Sequence, residues 1–177
     1  ILLLSGCFMT ANFSGAFLIL RAEQAGLDIH LTPLVMVIQN FGTTATAYPV
    51  GYFSDKVGRR SMMALGIFLV MSSNLILGIS ESSYMILGGV LLWGAQMGIT
   101  TSILAVFLAD SCPENVRGTG FGLFHLVNGG CLIIANTLAG WVWTVAGSPQ
   151  MFYTSALIAF FSGLILPFIP KKEYKEA

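Results

Sequence analysis

Polar side chains recur at helical spacing inside apolar stretches of this sequence. Trp93, Gln96 and Thr100 are three and four residues apart, and His125 and Asn128 are three apart. At ~100° per residue, these spacings place each group on one face of a helix. Their indole, amide, hydroxyl and imidazole groups form hydrogen bonds that can replace the water around a polar solute. The pattern therefore predicts contacts along a polar path.

The full set of candidate solute contacts comes from four apolar stretches. Its members are Asn12, Gln39, Asn40, Thr43, Trp93, Gln96, Thr100, His125 and Asn128. The alternative role of each amide is a hydrogen bond between helices, which is worth only ~0.6 kcal/mol on average in a membrane. His125 is also a candidate carrier of a coupling proton, because imidazole changes charge near physiological pH. Its alternative role is that of a neutral hydrogen-bonding group.

The stretches that carry these residues are too apolar for a water-soluble domain. Of the 177 residues, 55% are hydrophobic and 9% are charged, whereas a soluble domain carries about 25% charged residues. The formal net charge of zero provides no basic surface for nucleic acid. Cys7, Cys112 and Cys131 show neither disulfide nor metal-ligand spacing. The composition predicts an all-α membrane protein surrounded by lipid, with no cofactor and no metal.

Six apolar runs reach the length of ~20 residues that a helix needs to cross a bilayer. They lie at about 1–20, 33–53, 61–79, 84–109, 119–143 and 151–169. The connection at 80–83 is very short, so the third and fourth spans are expected to be antiparallel neighbours. The sequence begins at Ile1 inside an apolar run, which is typical of a fragment of a longer chain.

Lysine and arginine are concentrated on one side of these spans. Seven of the eight fall there, namely Lys56, Arg59, Arg60, Arg117, Lys171, Lys172 and Lys175. By the positive-inside rule that side is cytoplasmic, so both ends are expected inside a cell (inner) membrane and residues 171–177 form a cytoplasmic tail. The exception is Arg21, which the sequence places near Glu23 as a solvated pair or as part of an outer gate.

The densest charge lies in G-Y-F-S-D-K-V-G-R-R at residues 51–60, between the second and third spans. This stretch resembles the loop signature of the major facilitator superfamily (MFS). P-E-N-V-R-G-T-G-F-G at 113–122 is similar to the segment between the fourth and fifth helices of that family. The resemblance implies that residues 1–170 form one six-helix half, an inverted 3+3 repeat, of a twelve-helix secondary transporter. Such a protein moves a small solute by alternating access, and the amino-terminal half is then the partner of this chain.

The resemblance also implies a conformational latch on the cytoplasmic face. Its residues are Gly51, Asp55, Lys56, Gly58, Arg59, Arg60, Arg117 and Gly118. Asp55 is expected to face Arg117 and the start of the fifth helix, whose N-terminus carries partial positive charge. Asp110 and Glu114 are candidate partners of Arg59 or Arg60. The alternative is that these charges only fix the orientation of the helices.

The chain resembles the carboxyl-terminal half of the family more than the amino-terminal half. Its fourth span reads L-L-W-G-A-Q-M-G-I-T without the arginine usual in a first half, and its fifth lacks the Gly-Pro motif of exporters. Two other functions remain open, a membrane-embedded enzyme and a signalling or scaffold protein on a transporter-like fold. An enzyme is disfavoured because the sequence has no H-E-x-x-H, no G-x-S-x-G and no close acid pair within a span.

Overall fold

The protein is described by a computed structural model that covers residues 2–168, with the side chains of residues 2–4, 55 and 168 outside the description. Its described part is helical and contains no strand. The helices are α1 (Leu2–Thr10), α2 (Gly15–Gln24), α3 (Thr32–Val57), α4 (Arg59–Ile79), α5 (Ser83–Ser111), α6 (Arg117–Ala146) and α7 (Ser148–Ile165). The tail at 171–177 and its three lysines lie outside the described residues.

The first apolar run forms two helices rather than the single span that the sequence predicted. Residues 11–14 separate α1 from α2. Ser14 is extended and its hydroxyl accepts a hydrogen bond from the N–H of Ala16, while Asn12 donates from Nδ2 to the carbonyl of Phe8 at 3.0 Å. Ser and Asn side chains compete with helical hydrogen bonds in this way. The two polar residues therefore break the helix and cap the ends that the break creates.

Helices α3 and α5 pack closely because glycines face the opposing backbone. A Cβ added at Gly42 would lie 2.6 Å from the carbonyl oxygen of Leu91, and one at Gly94 would meet the carbonyl oxygen of Gln39. The hydroxyl of Thr46 reaches across the contact and donates to the carbonyl of Ala95 at 2.9 Å. Small residues and interhelical hydroxyl bonds are the usual means of joining helices in lipid. The two helices therefore form a tightly joined pair.

Arg21 joins three helices at the end of the bundle that the sequence assigns to the outer face. Its guanidinium donates to the carbonyls of Leu77 at 2.8 Å and Ser80 at 2.7 Å, and to the hydroxyl of Ser148 at 3.4 Å. A cation at the carboxyl end of α4 is favoured because the last carbonyls there lack helical partners. Arg21 is buried, so the expectation of a solvated pair with Glu23 was wrong.

Three described helical segments are long and apolar enough to cross a membrane, at Arg59–Ile79, Ser83–Ser111 and Glu114–Ala146. The first two correspond to the predicted runs at 61–79 and 84–109, and the third contains the run at 119–143. They are buried within the bundle to different degrees, since only 11% of the apolar window in Glu114–Ala146 is buried. Most of the surface of α6 therefore faces outward from the described bundle.

Candidate functional site

The break in the first helix is surrounded by polar groups from neighbouring helices. Ser155 of α7 donates from its hydroxyl to the carbonyl of Ala11 at 2.5 Å, and Asn74 of α4 donates to that hydroxyl at 3.0 Å. Asn136 of α6 accepts a hydrogen bond of 2.7 Å from the backbone N–H of Ser14. Irregular backbone at membrane depth is tolerated only where protein groups satisfy it. These side chains meet that requirement from three directions.

Helix α5 supplies the fourth support of the break. Gln96 donates from Nε2 to Oδ1 of Asn12 at 3.1 Å, and the hydroxyl of Thr100 lies 3.4 Å from Oε1 of Gln96 and 2.8 Å from its carbonyl. All three residues are buried. A buried amide that keeps its partners avoids a cost of about 1–3 kcal/mol for an unsatisfied polar group. The bond between Asn12 and Gln96 is thus of the interhelical kind that the sequence left open as the alternative role of each amide, whereas Thr100 bonds to Gln96 within α5.

Asn128 joins α6 to α1. It is buried, and its Oδ1 accepts a hydrogen bond of 3.0 Å from the hydroxyl of Ser5. His125, one turn earlier in α6, is exposed and its ring lies 5.4 Å from that of Phe124. The two residues were predicted to share a helix face, but the structure buries one and exposes the other. His125 therefore faces outward from this bundle.

The candidates on α3 lie at or near the surface. Asn40 is exposed and donates from Nδ2 to the carbonyl of Met36 at 2.8 Å. Thr43 is half-buried, and its hydroxyl bonds the carbonyl of Gly94 on α5 at 3.1 Å. Gln39 is also half-buried. Of the two amides among these residues, that of Asn40 is the more accessible from the surface of α3.

Two polar atoms beside the break are buried without a hydrogen-bond partner among the described residues, Oε1 of Gln39 and Nε1 of Trp93. Gln39 Oε1 lies against Gly15, where it would be 2.9 Å from an added Cβ. The Trp93 ring packs on Phe13 with ring centroids 5.5 Å apart. One atom accepts hydrogen bonds and the other donates. A buried acceptor and a buried donor therefore flank the ends of residues 13–15, and a hydroxyl group has the chemistry to satisfy either.

Sequence reasoning missed Asn74 and Ser155 as supports of the break. They come from different helices, so no spacing along the chain connects them with Ala11. The available signal was the interruption A-N-F-S at 11–14, in which two helix-competing residues fall within an apolar run. No group of His, Cys, Asp or Glu among the described residues has the arrangement of a metal site.

Among the described residues, the charged stretch at 51–60 contributes to an ion pair at the end of the bundle where α4 begins and α5 ends. Arg59, the first residue of α4, pairs with Asp110 near the end of α5. The side chain of Arg59 is 13% exposed and that of Asp110 is 30% exposed. This is one of the pairings that the sequence anticipated. Gly58 separates α3 from α4 with a φ of 90°, a backbone conformation that favours glycine.

The other residues predicted to form the latch lie on α3, α4 and α6. Lys56 is exposed, donates to the Tyr52 hydroxyl at 2.5 Å and stands 4.3 Å from the centroid of that ring. Arg60 is half-buried, whereas Gly51, Arg117 and Gly118 are exposed. The side chain of Asp55 lies outside the described residues, so its contact with Arg117 stays a prediction.

The described structure is thus an all-helical bundle with three membrane-length apolar helices, a broken first helix and a charged turn between α3 and α4. These features define the class of multi-pass membrane proteins. The sequence model of the Major Facilitator Superfamily matches residues 1–177. The chain belongs to that family of membrane transporters.

Relatives with curated names agree with this assignment. The chain is 30% identical to an uncharacterized MFS-type transporter of Methanocaldococcus jannaschii, over 95% of the chain and 44% of the relative. It is 26% identical to a D-xylose transporter of Levilactobacillus brevis, over 92% of the chain and 36% of the relative. Probable inositol transporter 3 of Arabidopsis thaliana is 24% identical over 95% of the chain and 30% of its own length. The chain therefore spans less than half the length of these relatives.

Proposed function

We propose that this chain is the carboxyl-terminal six-helix half of a secondary transporter that moves a small solute by alternating access. The observation that carries the proposal is the break at 11–14 and its support by four helices. Discontinuous helices in transporters place polar backbone near the bilayer midplane, where substrates bind between two repeats. The remaining contacts would come from the amino-terminal half.

A neutral, hydroxyl-bearing solute fits the groups beside the break best. Gln39 supplies an acceptor and Trp93 a donor that have no partner among the described residues, and a solute hydroxyl is both donor and acceptor. The exposed amide of Asn40 adds a further group on the same helix as Gln39. The names of two relatives, a D-xylose transporter and a probable inositol transporter, support this class of solute.

The cytoplasmic turn would act as the latch of the alternating cycle. Arg59 and Asp110 bring α4 and α5 together at that face, and Asp55 would hold the start of α6 through Arg117. Partly exposed ion pairs are worth ~0–1 kcal/mol each, so their formation and loss can bias two conformations without trapping either. Protons are a candidate coupling ion, and His125 is the candidate carrier in this half.

The test is solute counterflow by the full-length protein in proteoliposomes, with labelled D-xylose and myo-inositol as the first probes. Flux is expected, and Trp93→Phe is expected to raise KM because it removes the indole N–H while keeping an aromatic ring. Trp143→Phe is the matched control, since Trp143 packs on Phe17 and Phe152. An equal rise in KM for both variants would reject the role of Trp93.

The same vesicles test the coupling ion. Uptake that follows an imposed pH gradient and loses this dependence in His125→Gln would support proton coupling through this half. Full pH dependence in that variant would remove His125 from the mechanism. A correctly folded protein that moves none of a broad panel of solutes would contradict the transport proposal itself.

A further inference from the structure

An apolar crevice of about 190 Å³ lies between α6 and α7. Residues 10–13 of the helix break form its floor. Residues 135–142 of α6 and 151–158 of α7 form its walls. We propose that an acyl chain of a membrane phospholipid occupies this crevice. The proposal concerns the surface that the protein presents to lipid, so it stands independently of which solute is transported.

The crevice is apolar although it adjoins irregular backbone. The carbonyl of Ala11 accepts from Ser155, and Asn12 bonds both Gln96 and the carbonyl of Phe8. These bonds turn the polar groups of the floor inward, and carbon atoms form the lining. An apolar cavity of roughly 150 Å³ stays dry and takes up an apolar guest such as benzene. The crevice is therefore suited to a hydrocarbon guest rather than to water or a polar solute.

The position of the crevice selects a lipid chain as that guest. We take Ser148, the first residue of α7, as the point at which this helix enters the bilayer. The α7 wall then lies roughly 5–15 Å along the helix, at 1.5 Å per residue, within one leaflet of a hydrocarbon core ~30 Å thick. Its lip includes Leu138 and Trp141, which are 45% and 62% exposed. A multi-pass membrane protein meets acyl chains at this depth wherever an apolar helix face turns outward. The crevice is thus open to the hydrocarbon of the leaflet in which α7 begins.

A matched pair of substitutions on α7 can test the proposal without disturbing the buried core. Thr154 lines the crevice and is exposed, so Thr154→Phe fills it from the outside. Leu157 lies three residues further along the same helix, is exposed and does not line the crevice. Leu157→Phe therefore adds a similar aromatic ring to the ordinary lipid-facing surface of α7.

The experiment uses the full-length protein in nanodiscs that contain a phospholipid with a photoactivatable diazirine in its acyl chain. After illumination, mass spectrometry should locate lipid adducts on residues 138–142 and 151–158. These adducts are expected to be lost in Thr154→Phe and retained in Leu157→Phe, with thermal unfolding confirming that both variants are folded.

Three outcomes would overturn the proposal. Equal labelling of both variants would show only the general lipid layer around the protein. Cross-links from this crevice to the amino-terminal half, without lipid adducts, would show that protein covers it. Loss of the adducts on addition of a transported solute, at a concentration that saturates flux, would make the solute the occupant instead. A protein that shows no flux but still gives the lipid adducts would contradict the transport proposal and leave the lipid proposal standing, so the two failures are distinguishable.

Discussion

Gln96 of α5 donates a hydrogen bond of 3.1 Å to Asn12, the residue at which the first helix is interrupted. The two residues are 84 positions apart, and both are buried. This bond attaches the interruption to α5, which packs tightly on α3 through Gly94. The α3–α5 pair is therefore one of the supports that fix the position of the break, together with α4, α6 and α7.

We expect Gln96→Leu to destabilise the protein by about 1–3 kcal/mol, because Asn12 Oδ1 loses its donor while it stays buried. Reversible unfolding in detergent or bicelles measures the change. Asn40→Leu is the control, since this exposed amide bonds only within its own helix in the described structure. It should leave stability nearly unchanged and reduce transport if Asn40 contacts the solute. Equal loss of stability in both variants would contradict the support role of Gln96.

Hydropathy predicted where the main helices lie because the thickness of the bilayer fixes their length. The run at 61–79 corresponds to α4 (Arg59–Ile79) and that at 84–109 to α5 (Ser83–Ser111). The first run was the exception, since the local bonds of Asn12 and Ser14 outweigh its apolar character. Hydropathy averages over such residues and therefore does not detect the break.

The polar site was harder to predict than the helices. Spacing identified Trp93, Gln96 and Thr100 as one face, but it did not show that this face is buried, with Trp93 and Gln96 against the break at residues 12–13. Bonds such as that between Asn74 and Ser155 join distant parts of the chain, so they depend on the packed arrangement. Complementary charge was more informative, because it anticipated the pairing of Arg59 with Asp110.

Gly94→Ala is expected to cost about 1–3 kcal/mol, the usual range for overpacking a filled contact. The new methyl group would meet the carbonyl oxygen of Gln39, which as backbone cannot move aside without shifting α3. Gly88→Ala on the same helix is the matched control, since its Cβ would meet no atom within 4 Å. Thermal unfolding of the two variants should therefore diverge, and identical curves would show that the α3–α5 contact is less tight than described.

Arg21→Lys is expected to lower stability by about 1.5–3 kcal/mol, the value of one hydrogen bond from a charged group. A lysine ammonium lacks the planar fork with which Arg21 reaches the carbonyls of Leu77 and Ser80 together. Glu23→Gln serves as the control, because Glu23 is exposed. A loss of stability in Glu23→Gln as large as that in Arg21→Lys would restore the pairing of the two side chains that the sequence suggested.

The Arg59–Asp110 pair is expected to show a coupling energy near the upper end of the ~0.2–1 kcal/mol measured for solvent-exposed ion pairs, because its side chains are only 13% and 30% exposed. A double-mutant cycle with Arg59→Gln, Asp110→Asn and the combined variant isolates this value from the other contacts of each residue. The coupling should shrink only modestly at high salt, because partly buried charges are screened less than exposed ones. A coupling of zero at low salt would mean that the two side chains do not interact in the membrane-embedded protein.

Asp55→Asn is expected to impair transport while leaving membrane insertion and stability intact. The asparagine keeps the size of the side chain but removes the negative charge that would attract Arg117 and the N-terminus of α6. Counterflow measures transport, and cysteine accessibility of the 110–118 loop reports whether the cytoplasmic face stays open. Glu114→Gln, which removes one exposed negative charge from that loop, is the control. Wild-type flux in Asp55→Asn would leave the motif at 51–60 with the single role of fixing helix orientation.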